Sequence, residues 1–96
     1  MTYVVTAKWT AKPGEEERIA RICAEMTEPS RAEPANRFYQ AHRSPDDPRL
    51  FYLYEQYDSE AGYQAHMDSE HFTLLVKGEA IPNLESRERE FYETLP

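Results

Sequence analysis

Glycine is scarce in this chain, with three in 96 residues, at positions 14, 62 and 78. That excludes the glycine-rich loops that cradle phosphates or dinucleotides, which need several glycines within one turn, and no Ser-His-Asp order is present either. Cysteine is scarcer still. Cys23 stands alone, so no intrachain disulfide can form, and its place on an apolar helical stripe reads as a small buried hydrophobe. No apolar run approaches the roughly 18–20 residues of a spanning helix. The start, Met-Thr-Tyr-Val-Val, has no charged leader or cleavage site, so a cytoplasmic location is expected and a membrane partner is not. Basic residues are in deficit: 11 Lys and Arg face 18 Asp and Glu, for a net charge of −7. With no basic stripe to displace phosphate counterions, a nucleic-acid partner is excluded.

Aromatic residues are plentiful, with seven Tyr, four Phe and one Trp, while the mean hydropathy of −0.86 demands a very polar surface. A chain of this length makes one domain, residues 1–96, and so small a domain gains from burying one face on a second copy. The densest aromatic run, Phe51 to Tyr57, has the β-favouring composition of a strand and carries a single charge, Glu55. Alternation puts Phe51, Leu53, Glu55 and Tyr57 on one face and Tyr52, Tyr54 and Gln56 on the other; the Glu55 and Tyr57 face is taken as the pocket side. Asp58-Ser59 then offers an N-cap for a short helix to Met67, and Asp68-Ser69 repeats the signal, so His66 and His71 flank a helix–helix corner.

Upstream, Tyr3 to Thr10 alternates as a half-buried strand. Ile19, Ile22, Cys23 and Met26 form one apolar helical face, which Pro29 should stop or kink unless one more turn follows through Arg31. Arg37 to Arg43 is a second strand, joined to the third by the turn-forming Ser44 to Pro48. Phe72, Leu75 and Val76 give a helical stripe that fades at Lys77-Gly78. Leu84 to Leu95 is charged and ambiguous between helix and edge strand.

The strings Phe-Tyr-Leu-Tyr-Glu-Gln-Tyr and Ser-Glu-His-Phe, with Lys12-Pro13-Gly14-Glu15, Arg31-Ala32-Glu33-Pro34, Arg43 to Pro48 and Arg87 to Tyr92, resemble the antibiotic biosynthesis monooxygenase family of dimeric α+β barrels. The resemblance decides for a fourth strand. It implies an α+β, ferredoxin-like split β-α-β-β-α-β fold with the second helix broken in two, and a homodimer closing a barrel. It also implies a cofactor-independent monooxygenase acting on a phenol, quinol or polyketide-like ring. A small-ligand binder or a sugar-phosphate-type isomerase using the same cleft is the alternative. Haem-degrading relatives need a histidine and an asparagine where this chain has Val76 and Ala7, so no haem is expected.

For such chemistry a base must deprotonate the substrate and hold its anion in a dry aromatic pocket. His66 is the candidate base, Glu55 its partner and His71 a hydrogen-bond donor, with Trp9, Tyr57 and Phe72 as walls and Asn36 as a further contact. Each has a plainer role: His66 as a helix-end partner whose loss costs a cap's worth of stability, His71 as a solvent-facing residue, Glu55 as a partner for a buried donor, Asn36 as a turn-former. His66 and His71, five apart across a break, with His42 distant, match no metal-ligand spacing, and no metal or other cofactor is expected.

Overall fold

The computed structural model describes all 96 residues. Four strands, β1 (Tyr3–Ala11), β2 (Asn36–Arg43), β3 (Leu50–Tyr57) and β4 (Leu84–Glu93), are joined through α1 (Glu16–Arg31) and the broken pair α2 (Glu60–Met67) and α3 (Phe72–Ala80). They form one antiparallel sheet in the order β2-β3-β1-β4, with the helices over one face, which is the ferredoxin-like α+β arrangement. No helix is long and apolar enough to cross a membrane.

The core lies where the predicted faces meet. Ala7, Trp9 and Ala11 of β1 and Phe51 and Leu53 of β3 pack against Ile19, Ile22, Cys23 and Met26 of α1 and Phe72, Val76 and Ala80 of α3. Helix α1 runs through Pro29 to Arg31, because a proline in the last turn forfeits one hydrogen bond where the flanking apolar stripe already holds the helix down. Helix α3 does not fade at Lys77-Gly78 but continues to Ala80. It is wound as a π-helix, with the Ile81 N–H reaching back five residues to the Val76 carbonyl, and its buried residues recur every fourth position.

Strand β4 pairs with β1 along nearly its whole length, and its charges sort by face. Trp9 opposes Arg87, Ala7 opposes Arg89 and Val5 opposes Phe91, so two arginines and a phenylalanine share the helix-facing side. Ser86, Glu88, Glu90 and Tyr92 alternate onto the open face.

Candidate functional site

Three segments converge on one buried polar cluster. Strand β3 supplies Glu55 and Tyr57, neighbours on its inner face, and the Tyr57 hydroxyl donates to Glu55 Oε1 at 2.7 Å. Helix α2, capped by Ser59 Oγ accepting from the Gly62 N–H at 3.4 Å, carries His66 in its last turn. The connection between α1 and β2 brings in Glu33. Ser69 pins the corner: its Oγ donates to the His66 carbonyl at 2.6 Å and accepts the Phe72 N–H at 3.2 Å, which turns His71 back toward His66.

His66 is 2 % exposed and Glu55 5 %. The imidazole sits among Phe72, Tyr57, Tyr39 and Tyr63, with ring centroids 5.1, 5.4, 5.9 and 6.1 Å away. Its Nδ1 lies 2.8 Å from Glu33 Oε2, and His71 Nε2 lies 2.6 Å from the same oxygen. A carboxylate oxygen only accepts, so these two nitrogens are the protonated ones. His66 Nε2, the ring's other nitrogen, makes no hydrogen bond and lies 3.7 Å from Glu55 Oε1.

The electrostatics follow from burial. Desolvation raises the Glu55 carboxyl, opposed by His66, by the Tyr57 hydrogen bond and by Arg87. Burial, reinforced by Glu55, pushes the Tyr57 hydroxyl far above the ordinary phenol range, so it stays a donor. Burial also lowers Arg87, with Arg89 beside it adding to the effect. Two buried donors of the facing pair, Trp9 Nε1 and Arg87 Nε, have no hydrogen-bond partner.

Beside the cluster, between α2 and β4, runs a groove of about 300 Å³ lined by Tyr3, Tyr63, Met67, Arg89 and Phe91, among others. Arg89 Nη1 donates to the Tyr63 hydroxyl at 3.0 Å. Because the Tyr63 ring also stacks on His66, it is the wall between groove and imidazole. A larger hollow of about 560 Å³ at Met1, Asp58 and Glu93 lies at the chain ends, away from the histidines.

Of the residues singled out from sequence, Glu55, Tyr57, His66, His71 and Phe72 come together. Trp9 and Phe72 belong to the main apolar core and line no opening. Asn36 stands apart: its amide donates to the carbonyls of Phe38 at 3.2 Å and Gln56 at 3.5 Å, bridging an irregularity in the β2–β3 register. His71 is not solvent-facing but 20 % exposed and bound to Glu33. Sequence reasoning missed Glu33, Tyr63, Arg87 and Arg89. The arginines had a legible signal, since Arg87, Arg89 and Phe91 alternate with Ser86, Glu88 and Glu90, whereas a glutamate in a short helix–strand connection carries none.

Comparisons with known proteins agree with this architecture. The chain matches the profile of the family "Antibiotic biosynthesis monooxygenase" over residues 2–78. Among solved structures, PA3566 from Pseudomonas aeruginosa is 29% identical with a TM-score of 0.91, covering 99% of this chain and 95% of that one. A Nitrosomonas europaea protein named for the same family is 26% identical with a TM-score of 0.91, over 98% and 90% of the two chains. Rv0793 from Mycobacterium tuberculosis, at 22% identity, shares the fold with a TM-score of 0.90 over 100% and 97%. A search among curated proteins finds no match. With four-fifths of its length under the family profile and its fold shared with proteins of that name, the chain belongs to the antibiotic biosynthesis monooxygenase family.

Proposed function

We infer that the protein is a monooxygenase acting on a small electron-rich aromatic, a phenol or quinol, in the groove between α2 and β4. The observation that carries this reading is the buried Glu55–His66 couple, in which His66 Nε2 has no hydrogen-bond partner inside an aromatic cage. His66 Nε2 takes the phenolic proton, Glu55 stabilises the imidazolium that results, and the Arg89 guanidinium in the groove wall holds the phenolate. The anion, packed against Tyr63, Met67 and Phe91, can then pass an electron to oxygen. Tyr63 must swing aside for substrate to reach the imidazole.

The function works in a homodimer. The open sheet face carries Phe38, Tyr52, Tyr54 and Tyr92, and a second copy would cover them.

One observation favours a second reading. Arg37 pairs with Asp58 and Arg43 with Glu17, so neither is free, but Arg87 and Arg89 supply the inward positive charge that a phosphorylated isomerase substrate requires. Oxygen uptake separates the two. With a panel of small phenols and quinols, wild-type protein should consume oxygen in proportion to substrate lost. His66→Asn, whose amide can still donate to Glu33, should slow this by about 10²–10⁴-fold, the usual contribution of a general base. A folded His66→Asn or Glu55→Gln protein with wild-type turnover overturns the assignment, and saturable binding of a sugar phosphate without oxygen uptake moves the groove to the isomerase reading.

A further inference from the structure

We propose that Glu33, His66 and His71 form a binding site for a divalent transition-metal ion. His66 Nδ1, His71 Nε2 and a Glu33 carboxylate oxygen all lie within 4.8 Å of one another, converging from three segments of the chain. Two imidazoles and one carboxylate are ligand types that suit zinc and its first-row neighbours, and three protein ligands with an open position is the pattern of sites that keep a water or another small ligand.

Three features set this cluster apart from an ordinary hydrogen-bonded pair. First, no arginine or lysine reaches the Glu33 carboxylate, which pairs only with the two imidazoles. Positive charge to offset it must come from those rings or from a bound cation. Second, both imidazoles crowd onto Oε2 while Glu33 Oε1 is buried with no partner, an oxygen a cation could engage after a small rotation of the carboxylate. Third, His66 Nε2 faces Glu55, so with a metal on Nδ1 the proton moves to Nε2 and is directed at a carboxylate. That outer-shell arrangement orients histidine ligands generally.

Spacing alone conceals the site. In one continuous helix, residues five apart point roughly 140° away from each other. The break at Asp68-Ser69 turns the second helix so that both rings meet Glu33. His71, one-fifth exposed, gives the ion a way in from solvent. The inference is independent of turnover but bears on it: a metal on Nδ1 would leave His66 Nε2 carrying a proton and unable to act as a base, so the loaded protein would be the silent one.

The test is calorimetric titration of chelator-treated full-length protein with Zn²⁺, alongside the visible spectrum with Co²⁺. The expected result is one equivalent of Zn²⁺ bound and a Co²⁺ spectrum typical of few-coordinate nitrogen–oxygen ligation. His71→Ala and Glu33→Gln should each weaken binding by more than the roughly 10–100-fold that loss of an outer-shell partner costs. His42→Ala, exposed and outside the cluster, should leave it unchanged. Absence of saturable binding to the wild type overturns the site. So does binding that survives both His71→Ala and Glu33→Gln, or that His42→Ala weakens as much. Circular dichroism confirms that each variant folds, and with two ligand variants the misfolding of one leaves the other to decide.

Discussion

At the scale of single residues, Glu55 is where stability and chemistry oppose each other. Burial raises its carboxyl, and a carboxyl raised in the fold contributes its full stability below the unfolded-chain pKa near 4.3 and loses it as pH rises through the higher native value. Glu55→Gln cannot titrate and still offers an oxygen to the Tyr57 hydroxyl. Relative to wild type it should therefore gain stability as pH rises past the unfolded-chain value, and chemical denaturation at a series of pH values would show it; a deficit that deepens with pH contradicts the sign. His66 behaves differently from the helix-end partner that its position suggests. Enclosed by Tyr39, Tyr57, Tyr63 and Phe72, it belongs to the interior, so His66→Ala empties a core site at about 2–5 kcal/mol rather than removing a cap. Alanine is then a poor probe of its chemistry, whereas asparagine keeps a donor for Glu33 and fills more of the site.

At the scale of elements, the placement of α2 decides where His66 points, and Gly62 sets that placement. A Cβ built at Gly62 would lie 2.8 Å from Ala35 Cβ and 3.4 Å from Tyr57 Cβ, so the helix can approach β3 and the α1–β2 connection this closely only without a side chain there. Helix propensity alone would favour alanine by about 0.5–1 kcal/mol. Sterics win, because Ala35 Cβ is fixed to the backbone and cannot yield as a long side chain could. Gly62→Ala is expected to destabilise by about 1–3 kcal/mol, the range for overpacking, as a lowered melting midpoint. By shifting α2 it should also disturb the approach of His66 to Glu33 and Glu55. An unchanged midpoint would mean that the two segments separate freely.

At the scale of the whole molecule, the unpaired face of the sheet is the feature left over. Phe38, Tyr52 and Tyr92 are exposed there, and Phe38 and Tyr54 pack edge to face with centroids 5.7 Å apart. Light scattering at micromolar concentration should give twice the chain mass. Tyr52→Glu, on that face and opposite Lys8 in β1, should shift the equilibrium toward monomer while leaving the helix-side cluster intact. A wild-type monomer would leave these aromatics to solvent and refute the dimer.

Much of this was legible in the sequence because it depends on local periodicity. The two-residue alternation of β1 and β3, the α1 stripe from Ile19 to Met26, and the paired N-cap signals at Ser59 and Ser69 follow from backbone geometry that neighbouring residues alone impose. The same alternation put Glu55 and Tyr57 on the helix-facing side. Tertiary structure decided what those faces meet. Nothing near Glu33 in the chain shows that its carboxylate turns inward to receive two histidines 33 and 38 residues away, because the approach is made by packing of the α1–β2 connection against the corner. The inward arginines of β4 likewise acquire meaning only once β1 fixes their register opposite Trp9 and Ala7. Local sequence determined which residues share a face. The burial that joined separate faces raised the Glu55 carboxyl and brought His66 and His71 onto one Glu33 oxygen.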